Sequence, residues 1–133
     1  MTDFLYHPDG EGACHEPDEV LRRIAPAFGY VVIDKASGER FVQEKYKQLM
    51  AISAPPVILE SHRSLFGQVA IVTLADDDAT DERIRFILEP HSAIAIEYGS
   101  DSHRDGCRMI VEKLALLLGY QLDVCDTPGM NPT

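Results

Sequence analysis

The sequence predicts an α+β domain in which a mostly antiparallel sheet, built largely as a meander, packs against two or three helices. Three apolar runs joined by short polar links indicate the meander, at residues 65–75, 83–89 and 93–98. A stretch with apolar residues at helical spacing, at 101–118, predicts a long helix that would cover one face of the sheet.

The length of the chain favours one domain. A chain of 133 residues buries roughly two-thirds of the surface that its unfolded form exposes, which suffices for one core. We therefore expect a single α+β domain at 1–125. The remainder, 126–133, is rich in Pro and Gly and is predicted to be a flexible C-terminal tail.

The first third of the chain predicts strand, loop, helix and strand. The run "DFLYH" at 3–7 is typical of a strand, and a polar loop follows at 8–16. A helix is expected over 17–28, because Pro17 suits a first helical position and Pro26 would bend or end the helix. The β-branched residues of 30–34 predict the next strand.

The middle of the chain predicts a hairpin, a short helix and a further strand. The segment "KASGERFV" at 35–42 has the composition of a turn with a return strand, with Gly38 in the turn. Apolar residues at helical spacing then predict a short helix from Gln43 to the prolines at 55 and 56. The run "VILE" at 57–60 is interpreted as one more strand leading into the meander.

The last third predicts the long helix and a final strand. Residues on the apolar stripe of the helix are Cys107, Ile110, Val111, Leu114, Leu117 and Leu118. Gly119 stands where a C-terminal cap belongs, and "YQLDV" at 120–124 is typical of a strand.

Composition excludes several classes of partner. Twenty-two carboxylates against twelve Lys and Arg give a net charge of −10, which opposes binding to nucleic acids and to anionic membrane surfaces. No segment approaches the roughly 20 apolar residues that cross a bilayer. Three cysteines without a C-x-x-C spacing favour a reducing compartment, so we expect the protein to be cytoplasmic.

Two loops carry the side chains that are the best candidates for a ligand-binding site. Cys14 and His15 lie in the 8–16 loop, and His103 lies four residues before Cys107 in the 99–107 loop. If the loops met, Cys14, His15 and His103 would form a ligand-binding site. The alternative is structural: Asp101 and Ser102 would cap the long helix, and Cys107 would be buried. Neither loop has a recognised metal-ligand spacing, so we assign no metal and no cofactor.

Two further histidines each lie two residues from a carboxylate. His62 follows Glu60 and His91 follows Glu89, which is the pairing that general acid–base chemistry uses. His62 falls in a predicted polar connection and His91 in a predicted turn, so both are interpreted as solvent-facing residues.

These observations favour a binding function over catalysis. The leading hypothesis is a non-enzymatic, cytoplasmic protein-binding or self-associating module, which uses an acidic surface toward a basic partner protein or pairs with itself as a homo-oligomer. The alternative is a small enzyme or a ligand-binding or metal-binding domain whose site lies between the 8–16 and 99–107 loops.

Overall fold

The structure, a computed structural model, describes residues 2–75 and 83–124. In these two ranges, six strands form one antiparallel sheet in the order β2-β3-β4-β5-β1-β6. The strands are β1 (Thr2–Tyr6), β2 (Tyr30–Asp34), β3 (Ala70–Ala75), β4 (Ile84–Leu88), β5 (Ile94–Glu97) and β6 (Gln121–Asp123). The predicted tail at 126–133 lies outside the described residues.

Five α-helices are found in the same two ranges, and they cover the sheet unequally. They are α1 (Pro17–Ile24), α2 (Lys35–Ala51), α3 (Pro56–Arg63), α4 (Asp101–Gly106) and α5 (Arg108–Leu118). One face of the sheet packs against α1 and α5 and forms the larger core. The other face packs against α2 in a smaller cluster around Val42, Ile71 and Ile87. The α+β class predicted from the sequence is therefore confirmed.

The predicted meander is confirmed in its central part. β3, β4 and β5 are consecutive in the chain and adjacent in the sheet, each antiparallel to the next. Phe86 of β4 is fully buried and pairs with Val72 of β3 and Ile96 of β5. These central strands bury apolar side chains on both faces, which explains their nearly continuous apolar sequences.

The predicted hairpin at 35–42 is wrong, because these residues begin α2. Asp34 caps the helix, since its carboxylate accepts a hydrogen bond of 2.9 Å from the amide of Ser37. Gly38 serves close packing rather than a turn: a Cβ atom placed there would lie 2.1 Å from the carbonyl oxygen of Val69. The turn-like composition therefore reflects a helix cap and a tight contact between a helix and the backbone before β3.

The predicted strand at 57–60 is also wrong, because "VILE" lies in α3. Pro56 occupies the first turn of this helix, where a missing backbone donor costs nothing. The pair of prolines therefore separates two helices rather than a helix and a strand. The strand predicted over 65–75 is shorter than expected and begins at Ala70.

The two predicted core helices are present but interrupted. α1 ends at Ile24 and continues as a 3₁₀ turn, Ala25–Ala27, that contains Pro26. The helix predicted over 101–118 divides at Cys107 into α4 and α5. Gly119 ends α5 with a left-handed φ of 71°, as its position in the sequence predicts.

None of the helices in the two described ranges combines the length and the apolar character needed to cross a membrane.

Candidate functional site

The 8–16 loop leads into a small cluster of rings at one end of the sheet. The backbone amide of His15 donates a hydrogen bond of 2.6 Å to the hydroxyl oxygen of Tyr120. The His15 ring stacks on Tyr120 with centroids 5.6 Å apart, and it meets the His7 ring edge-on at 6.0 Å. Cys14 is buried in the larger core. His15 therefore helps to hold the loop against the start of β6.

His103 and Cys107 share one acceptor at the opposite end of the sheet. His103 donates through Nε2 to the carbonyl oxygen of Arg83 at 2.7 Å, and the Cys107 thiol donates to the same oxygen at 3.2 Å. A carbonyl oxygen only accepts, so both His103 Nε2 and Cys107 Sγ carry hydrogens. The two side chains are 3.6 Å apart, but a protonated Nε2 cannot take the proton of the thiol. The pair therefore ties α4 to the start of β4 and is not an activated nucleophile.

The structure does not bring the two predicted loops together. The 8–16 loop follows the end of β1, where Leu5 pairs with Ile94, whereas the 99–107 loop follows the end of β5, where Glu97 pairs with Thr2. These two ends of β1 are roughly 13 Å apart at the usual rise of a strand. Cys14 and His15 therefore lie at one end of the strands and His103 at the other. Within the described residues, no group of three or more His, Cys, Asp or Glu side chains is arranged to hold a metal ion.

Beside His103 lies a buried ion pair that the sequence analysis missed. Arg104 donates two hydrogen bonds of 2.9 Å to the carboxylate of Asp3, which is only 3% exposed. Burial, reinforced by the charge of Asp3, raises the pKa of the Tyr98 hydroxyl far above its ordinary value. Asp3 lies on the core-facing side of β1, and a single acid in a short apolar run gives no sign of its partner 101 residues away.

A cleft of about 600 Å³ opens between the corner of α2 and α3 and the turn from β4 to β5. Its polar lining includes His62, His91, Glu16 and Glu89, and its apolar lining includes Leu49, Ile58, Leu65 and Pro90. This volume is in the range of small-molecule pockets. The sequence does not predict that His62 and His91 share a cleft, because its pattern indicates a polar connection at His62, which lies on α3.

Hydrogen bonds fix the two cleft histidines. His62 donates through Nε2 to the carbonyl oxygen of Val42 at 3.0 Å, so its Nδ1 is the nitrogen able to accept from a ligand. His91 has a left-handed φ of 53°, and its Nε2 lies 2.6 Å from a carboxylate oxygen of Glu16. The contact between His91 and Glu16 joins the β4–β5 turn to the start of α1. Among the described residues that line the cleft there is no Lys or Arg.

Strand β2 offers a second candidate surface. It forms one edge of the sheet, with β3 on one side and none of the described strands on the other. Val32 and Ile33 are 43% and 44% exposed. The strand contains no Pro or Lys, which are common protections of an edge strand. Its free backbone groups and its apolar side chains are together what an added strand would bind.

The chain matches no protein-family model, and comparison with curated proteins and with solved structures gives no significant match.

Proposed function

We propose that this protein is a non-enzymatic protein-interaction module that binds a partner strand along β2. The observation that carries the proposal is the edge position of β2: none of the described strands pairs with its outer side, beside the exposed side chains of Val32 and Ile33. An edge with these properties is a template for strand addition, in which backbone hydrogen bonds supply affinity and the side-chain surfaces supply specificity.

Other features of the molecule support an interaction module over an enzyme. The polar side chains of the 8–16 and 99–107 loops take part in hydrogen bonds and ring contacts within the fold, at His15, His103 and Cys107. The compartment that we propose is the cytoplasm, and the buried side chains of Cys14 and Cys107, which are thiols and not disulfides, support it.

A short peptide tests strand addition directly. The probe is a synthetic peptide with the sequence of residues 29–35, "GYVVIDK", added to dilute ¹⁵N-labelled protein. We expect NMR shift changes concentrated on the amides of β2. Val32→Lys should abolish them, because a charged side chain on an edge strand opposes pairing. The matched control is Leu116→Lys, which changes a residue of α5 that is 84% exposed. This variant should bind the peptide as the wild-type protein does. Equal binding by the two variants, or no shift on β2, would contradict the proposal.

We propose, as a second candidate function, that the cleft binds a small organic cation. The specific observation in its favour is the combination of an apolar lining with two carboxylates, Glu89 and the His91-paired Glu16, and no Lys or Arg among the described lining residues. An ammonium group has three donors and no acceptor, so it complements these carboxylates and the free Nδ1 of His62. The ligand class is therefore an amine on an apolar body.

The cleft hypothesis is tested with hexylamine, with hexanoate as the control of opposite charge. We expect hexylamine to shift the NMR signals of residues 61–65 and 89–91 in the wild-type protein. Glu89→Gln combined with Glu16→Gln should remove this response, because both carboxylates lose their charge. An equal response to hexanoate, or an unchanged response in the double variant, would show that charge recognition is absent.

A further inference from the structure

The edge of β2 has a self-complementary sequence. If two copies of β2 run antiparallel about Val32, then Val32 lies opposite its own counterpart, and Val31 lies opposite Ile33 of the second copy. In the same register Tyr30 lies opposite Asp34 of the second copy. Residues directly opposite in an antiparallel pair share a face of the sheet. Apolar residues thus meet apolar residues, and no two carboxylates face each other.

The surroundings of Tyr30 make this register electrostatically favourable. The guanidinium of Arg83 lies over the Tyr30 ring, 4.2 Å from its centroid. Asp34 is exposed, and hydrogen bonds from Ser37 lower the pKa of its carboxyl. In the antiparallel register this carboxylate would lie opposite the Tyr30 ring of the other copy, which carries the Arg83 guanidinium over its face. Twofold symmetry creates the pair of opposite charges twice.

We infer that the partner of β2 is a second copy of this chain, joined antiparallel about Val32 so that the two sheets become one. This inference rests on the proposed function, because it names the strand that fills the open edge. The arrangement is isologous, and each copy covers the exposed Val32 and Ile33 of the other. It also covers the β2 edge of both copies at once, so that the joined sheet ends at β6 on each side.

The net charge of the chain predicts an unusual salt dependence. Two copies, each with a charge of −10, repel one another over distances that moderate salt screens, since the Debye length is about 10 Å at 0.1 M. Self-association should therefore strengthen from low to moderate salt. A complex with a basic partner protein would weaken over the same range. Sedimentation at both salt concentrations distinguishes the two partners by the sign of the change.

Disulfide trapping tests the register. In a Cys125→Ser background, Val32→Cys would place two thiols directly across the twofold axis, at the roughly 4.5–5.5 Å Cα separation of facing residues, which a disulfide spans. The matched control Ile33→Cys is one residue away and equally exposed. Its two copies would be about 8 Å apart, beyond the reach of a disulfide. We expect mild oxidation to yield a covalent dimer from Val32→Cys and monomer from Ile33→Cys.

Charge removal provides an independent readout. Arg83→Ala should weaken the dimer roughly tenfold, because two symmetric ion pairs are lost. Arg108→Ala removes another exposed arginine, which pairs with Glu112 on α5, and should leave the dimer unchanged.

The possible failures separate this inference from the proposed function. The self-paired register would be overturned if the wild-type chain stays at 14.8 kDa in moderate salt. It would equally be overturned if the Ile33→Cys variant cross-links and the Val32→Cys variant does not. If the residue 29–35 peptide still binds to β2 in that case, strand addition stands and only the identity of the partner is wrong. If the peptide also fails to bind, the proposed function fails with it.

Discussion

Arg104 holds Asp3 by two parallel hydrogen bonds of 2.9 Å across 101 residues of sequence. The contact links the first strand, β1, to helix α4 beside the start of α5. Asp3 is nearly inaccessible to solvent and Arg104 is mostly buried, so each side chain depends on the other for compensation of its charge. This pair ties an inner strand of the sheet to the helices over the larger core through two charge-assisted hydrogen bonds.

We predict that Arg104→Ala destabilises the protein by about 3–5 kcal/mol, because it leaves the Asp3 carboxylate buried without its counter-ion. The measurement is the free energy of unfolding from urea denaturation. Arg108→Ala is the matched control: its pair with Glu112 is solvent-exposed and should contribute less than about 0.5 kcal/mol. Equal losses in the two variants would show that the Asp3 pair has no special role.

A second prediction concerns the contact of α2 with the backbone before β3. Gly38→Ala should destabilise the fold by about 1–3 kcal/mol, because the added methyl group would overlap the carbonyl oxygen of Val69. Helix propensity alone predicts the opposite sign, a gain of up to about 1 kcal/mol. Gly99→Ala meets no neighbouring atom within 4 Å and should stay within about 0.5 kcal/mol of the wild type. Thermal and urea denaturation of both variants measure the difference.

The third prediction concerns Cys107, which is fully buried. Cys107→Asp should cost more than about 3 kcal/mol, because a carboxylate would enter the core and face the carbonyl oxygen of Arg83. Cys107→Ser keeps a donor to that oxygen and should cost much less. The melting temperature measures both effects, and an unchanged value for Cys107→Asp would show that this side chain is accessible to solvent.

The fourth prediction is a loss of stability in alkaline solution. Burial raises the pKa of Tyr120 to about 12 from its ordinary value of 10.0, even though the donated amide of His15 acts in the opposite direction. The folded state thus keeps a proton that the unfolded state releases. This contribution to stability is complete below pH 10 and is lost as the pH rises toward 12.

Absorbance at 295 nm follows the ionisation of tyrosine, and unfolding at several alkaline pH values follows the stability. Tyr120→Phe should remove one late step from the absorbance titration and reduce the fall in stability between pH 10 and 12. If the absorbance lost in the variant falls near pH 10 and not near pH 12, Tyr120 ionises like a tyrosine in water.

Sequence patterns predicted the sheet and the core helices well where a single local signal decides the structure. The β-branched residues of β2 and the alternating residues of β4 identify strands, and the apolar stripe of α5 with Gly119 behind it identifies a helix and its end. Side-chain periodicity also predicts that Cys107 lies in the core, and the structure confirms that it is fully buried. These features depend on neighbours within one or two turns of the chain.

The candidate sites could not be predicted in this way, because their members come from distant parts of the chain. His62 and His91 share a cleft only because α3 lies against the turn between β4 and β5. The Nε2 of His103 donates to the carbonyl oxygen of Arg83, and His103 and His15 lie at opposite ends of the sheet because β1 and β5 are antiparallel. The register of the strands decides which end of the sheet each loop occupies, and no local pattern contains that information.

By itself the sequence determined the α+β class, the strands of the meander and the inward face of the last long helix, since each follows from the periodicity of apolar residues. Only the tertiary structure decided that residues 35–42 and 57–60 are helical. Their composition suits either state, and the cap at Asp34 and the packing of Gly38 against Val69 select the helix at 35–42. It also decided that β2 is an open edge, because strand order is set by packing of the whole sheet and not by the sequence of any one strand.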